Sequence, residues 1–161
     1  MSLWERELDS YRPKLGELSP PQRLKLAVTA LDQAFKTEPA PYDEPDPARW
    51  LEEVIRIGWE DVGKGAEKIT LPSGLRDEFG EIDEGVSEPG VGQLLMAAIV
   101  CVDTDSLNAW PLAGVLYSCY EFTMQRQVPE PLSIQEEEAN ERCLEVVAYH
   151  KELITQATAG A

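Results

Sequence analysis

The chain has 161 residues, 43% hydrophobic and 27% charged, a length that suits one domain with a real core. Thirty acidic residues against fourteen basic ones give a net charge of −16. A surface so acidic is ill suited to nucleic acid or anionic lipid, and a chain so apolar is not wholly disordered.

Most of the chain reads at helical period. A first amphipathic segment covers Leu3 to Leu18, with Pro13 arguing for a bend or an early stop. Ser19 and Gln22 then form a capping box around Pro20 and Pro21. The helix they open carries Leu24, Val28, Leu31 and Phe35 on one stripe and is expected to stop before Thr37. Residues 37–47 hold four prolines among acids and read as an extended connector. Asp46 is placed as the cap of a third helix, with Pro47 at its first position. Trp50, Val54 and Ile57 give that helix a wide apolar face, and Gly63 and Gly65 end it.

Residues 66–89 read as an irregular acidic segment. Ile69 to Leu71 alternate as a strand would until Pro72 cuts the run, and Ser73 could cap a short helix through Phe79. Leu94 to Val102 is apolar on every side, the mark of a helix enclosed by others. A link at Asp103 to Asp105 leads to a helix capped by Asn108. Pro111 is tolerated there at the third position, where no intrahelical donor is lost, so the helix runs to about Gln127. After Pro129 and Pro131, Ser133 and Glu136 make a second capping box, with Glu136, Glu137 and Glu138 at the positive end of the dipole. The last helix places Cys143, Val147, His150 and Ile154 on one face and frays over 156–161. The expected fold is all-α: residues 1–161 as a single-domain bundle of about six helices.

Cys101, Cys119 and Cys143 are too few and too widely spaced for a disulfide framework or a zinc knuckle. Their apolar neighbours suit buried thiols in a reducing cytoplasm. The stretch from Met1 to Glu7 has no apolar core of a signal peptide, and Leu94 to Val102 is about half of what spans a bilayer. A soluble, cytoplasmic protein is expected.

Catalytic and cofactor patterns fare poorly. Gly90-Val-Gly92 lacks the third glycine and the preceding strand of a dinucleotide fingerprint, so it reads as a helix-opening turn. Asp103 and Asp105 read as residues of a helix link rather than as metal ligands, and His150, the sole histidine, as a core residue satisfied by a neighbour. A single histidine cannot supply two Glu-x-x-His pairs for a di-iron centre. No cofactor, metal or catalytic residue is assigned. A carboxylate-based small hydrolase stays open as an alternative.

Charge is distributed unevenly. Residues 1–36 carry six bases and five acids, whereas between Asp77 and Asn140 one base, Arg126, faces thirteen acids, a net of −12. A surface kept acidic for solubility alone usually intersperses its signs. A gathered negative field instead attracts a cationic partner and speeds its association by ~10 to 10³-fold. The candidate partner-binding residues are Asp77, Glu78, Glu81, Asp83, Glu84, Glu88, Asp103 and Asp105, with Trp110 as an aromatic anchor. Tyr42, Tyr117 and Tyr120 are further candidate anchors. A solvated acidic face without a partner is the competing reading.

Size, helical pattern, cysteines suited to a reducing cytoplasm and the acidic field from Asp77 to Glu138 together resemble the small immunity proteins that bacteria carry against polymorphic or contact-dependent toxins. The resemblance lies in general character; the segment Leu112-Ala-Gly-Val-Leu-Tyr-Ser-Cys-Tyr-Glu-Phe matches no particular immunity family, so no residue role is carried over. It implies a non-enzymatic protein that binds a basic toxin domain, often a nuclease, and covers its active site. A helical adaptor or regulatory subunit is the alternative, and Leu94 to Val102 could face a twin subunit in a homodimer.

Overall fold

The computed structural model describes residues 1–37, 42–127 and 133–160. These hold nine α-helices, one 3-10 turn and no strand. Helix α1 (Leu3–Leu8), a 3-10 turn (Asp9–Tyr11) and α2 (Arg12–Gly16) precede α3 (Pro20–Thr37) and α4 (Pro45–Gly63). Then follow α5 (Ser73–Gly85), α6 (Val91–Asp103), α7 (Ala109–Gln127), α8 (Ile134–Ala139) and α9 (Glu141–Ala159).

The all-α expectation holds, and the helix count rises for local reasons. The first amphipathic segment is broken by the 3-10 turn, with Pro13 seated in the first turn of α2, where its missing N–H costs nothing. The last one is broken at Asn140. Its extended backbone ends α8, and its side-chain oxygen accepts from the Cys143 N–H at 3.0 Å to cap α9. The tail expected to fray stays helical to Ala159, and α3 includes Thr37.

Residues 66–89 are not wholly irregular: α5 runs from Ser73 to Gly85, beyond the short helix through Phe79. Its apolar residues Leu75, Phe79 and Ile82 recur at helical spacing and pack against the core. Trp50 of α4 is fully buried and donates its indole N–H to the Leu75 carbonyl at 2.9 Å, which fixes α5 to α4. Ile69 belongs to no strand; its N–H bonds the Cys101 carbonyl, one of the orphan acceptors in the last turn of α6.

The connector is shorter than 37–47. Residues 38–41 lie outside the described part, and α4 already begins at Pro45, with Glu44 rather than Asp46 in the capping position. Glu44 makes no side-chain cap; its carboxylate accepts instead from the N–H groups of Ser87 and Glu88, at 2.9 and 2.6 Å.

The core is built around α3, α6 and α7, with α4 and α9 laid on either flank. Leu94, Leu95, Ala98 and Cys101 of α6 are fully buried within the chain, so the apolar run expected to be available to a twin subunit is already covered. Met96 alone in that run is exposed. Gly90 opens α6 at φ 79°, a conformation glycine adopts without strain. A Cβ there would also overlap the Phe122 carbonyl of α7. The Ser19 and Gln22 capping box and the Asn108 start of α7 both form as expected.

Candidate docking surface

Five of the eight candidate carboxylates lie on α5, and the helix sorts them. Asp77, Glu81 and Glu84 fall at i, i+4 and i+7 and are exposed; Asp83 is half-buried. None of these four makes an ion pair with a lysine or arginine among the described residues. Glu78 does, accepting from Arg49 of α4 at 2.8 Å.

The remaining three are more heavily engaged. Asp103, at the end of α6, holds Arg76 through two bonds of 2.9 and 2.7 Å, the bidentate geometry that suits a guanidinium. Asp105 pairs with Lys68 at 2.9 Å, and this ammonium holds its carboxyl below the ordinary range. Glu88 is withdrawn from the surface altogether. Its side chain is 5% exposed and bonds Arg126 at 2.8 Å. It also accepts from the Asp43 and Glu44 N–H groups, which answers the bonds Glu44 makes to residues 87 and 88. Burial pushes the Glu88 carboxyl up, but Arg126 and those N–H groups more than offset it, leaving it below its ordinary value. Glu88 is therefore a structural clamp and not a docking residue.

Outside the nine assigned positions the acidic field thins further. Glu138 pairs with Arg6 of α1. Glu137 is 3% exposed and accepts from the Leu3 N–H at 3.2 Å and the Tyr120 hydroxyl at 2.5 Å. These pairings are invisible in the segment from Asp77 to Asn140 alone, because Arg6, Arg49, Lys68 and Arg76 lie outside it and return to it only through folding. Glu44 and Asp46 at the start of α4 lie outside that segment too, and they line one cleft with Glu78 and Glu81. No linear pattern could have joined them.

The aromatic anchors divide as well. Trp110 is 71% exposed at the start of α7 and is overlaid by the Arg12 guanidinium at 4.2 Å from its centroid, so its ring is held by α2. Tyr120 is fully buried and cannot serve as an anchor. Tyr117 packs on Trp4, and Tyr42 stacks on Phe122 while bonding the Phe35 carbonyl.

The three thiols are buried, and burial pushes Cys101 up to about 12 and Cys119 up as well, so neither is an activated nucleophile. Among the described residues, no three His, Cys, Asp or Glu side chains gather as a metal set. No helix among them is long and apolar enough to cross a membrane. Comparison with protein families, curated proteins and solved structures finds no match to this chain.

Proposed function

We propose that this chain is a non-enzymatic acidic binding module that docks on a basic protein domain, as an immunity protein docks on its toxin. The observation that supports it is the exposed stripe Asp77, Glu81 and Glu84 on α5, none of which makes an ion pair with a lysine or arginine among the described residues, whereas Glu78, Glu88, Asp103 and Asp105 do. Three like charges along about two turns of one helix repel one another and are best relieved by a cationic surface. The neighbouring cleft adds Glu44, Asp46 and Glu78, with Arg49 as its only basic lining residue. Docked there, the module would pair with lysines and arginines that the partner uses on its own substrate and would cover them.

The test begins by capturing the partner from the native organism and identifying it by mass spectrometry. Its association rate with the wild-type chain and with D77N/E81Q/E84Q is then measured at two ionic strengths. The expected result is a rate that falls ~10-fold or more with added salt or with the triple change. A rate indifferent to both would refute docking through α5. Co-production of partner and module separates inhibition from adaptor binding, because only an inhibitor abolishes the partner's activity.

A further inference from the structure

A small cavity lies between α3, α7 and α9, with a volume of about 70 Å³, several times the ~10–15 Å³ that one ordered water requires. It shares no lining residue with the acidic cleft beside α5. Two of its lining side chains that carry nitrogen or oxygen are almost wholly inside the protein: Thr123 at 1% exposure and His150 at 2%.

His150 accepts the Trp4 indole N–H on Nδ1 at 2.9 Å, so its proton resides on Nε2. Trp4 does not line the cavity, and no described residue accepts from that Nε2–H. The Thr123 hydroxyl likewise bonds no described residue, unlike those of Thr29 and Thr37, which bond carbonyls four residues back. Neither atom is sealed away among the buried side-chain atoms without partners, so the unmet hydrogen-bonding capacity of both opens on the cavity. An unmet buried donor costs about 1–3 kcal/mol, which an acceptor in the cavity would relieve.

Charge balance narrows that acceptor. Arg142 lines the cavity; its two terminal guanidinium nitrogens bond Glu145 and the Thr37 carbonyl, while its Nε is buried without a partner. His150 is neutral, its burial holding it down to about 3. The lining is thus uncharged overall, which disfavours an anion. Gln33, whose side-chain amide bonds no described residue, supplies both an acceptor and a donor at the same cavity.

We propose that this cavity binds a small uncharged primary amide. Its carbonyl oxygen accepts from His150 Nε2–H and the Thr123 hydroxyl, and its NH₂ donates to Gln33. The Ala30, Ala34 and Val146 side chains take its apolar end.

The lone histidine gives a clean readout, since its two imidazole nitrogens are resolved by ¹⁵N NMR without overlap. Acetamide and acetate are titrated separately at matched ionic strength. A saturable Nε2 shift is expected with acetamide alone, and at least tenfold weaker in T123V and in Q33L. The Trp4 indole N–H signal reports whether each variant keeps its fold, and Q33L, at a less buried site, carries the test if T123V unfolds. A shift that never saturates, an equal response to acetate, or full affinity in a folded variant would overturn the proposal and leave a water-filled cavity.

Discussion

The indole N–H of Trp4 donates to Nδ1 of His150 at 2.9 Å, joining the first helix to the last across 146 residues of sequence. The bond requires a neutral imidazole, because a protonated one has no acceptor to offer. Burial supplies that neutrality, holding His150 near 3 against an ordinary 6.5. The unfolded chain therefore binds the proton more tightly than the folded one. The stability this site contributes is complete above pH 6.5 and is lost as pH falls from there toward 3. Urea midpoints are expected to fall across that window, and imidazole ¹⁵N shifts of the folded protein to stay at neutral values at pH 5. A protonated imidazole in the folded protein at pH 5 would contradict the assignment.

Removing the donor gives the complementary result. Trp4→Phe keeps an aromatic ring at a site 3% exposed but strands His150 Nδ1 without its donor. A loss of about 1–3 kcal/mol is expected from the unmet acceptor, with some packing loss added. Chemical denaturation at pH 7.5 measures it, and a cost below ~0.5 kcal/mol would mean that the bond adds little to the fold.

The sequence makes α3, α4 and α7 legible through apolar residues at helical spacing, and α6 through a run that is apolar on every side and largely buried. It also makes legible the place of His150 on an apolar face, where the Trp4 indole satisfies it. Other features depended on partners distant in sequence. The stripe Leu75, Phe79 and Ile82 is as periodic as the others, yet the acids and glycines between them masked it until Trp50 supplied a surface to pack on. Glu88 looked like one more surface acid because the ion pair with Arg126 and the two backbone donors that bury it lie 38 to 45 residues away. Composition alone makes Asp77, Glu81 and Glu84 candidates; that they share one face follows from α5 continuing past Phe79.

The Glu88 clamp has its own signature. Both side chains of the pair are at most 5% exposed, so removing one leaves the other charge buried and uncompensated. Arg126→Met is expected to cost about 3–5 kcal/mol, and adding Glu88→Gln should restore part of that loss. A double-mutant cycle by urea denaturation reads the coupling. Additive losses would show the two residues acting independently.

Helix α5 can be strengthened without touching the proposed docking stripe. Gly80 lies mid-helix between the acids, and a Cβ there would meet open space. Glycine in a helix interior costs about 0.5–1 kcal/mol relative to alanine, mostly through the freedom it retains when unfolded. Gly80→Ala should therefore slow hydrogen exchange of the α5 amides by ~2- to 5-fold, provided that α5 opens locally and not only with the whole domain. The fully buried amides of α6 serve as the internal reference. If α5 is the docking helix, pre-ordering it should leave the salt dependence of association unchanged while lowering the dissociation rate. Unchanged α5 exchange in Gly80→Ala would show instead that this helix opens only when the core does.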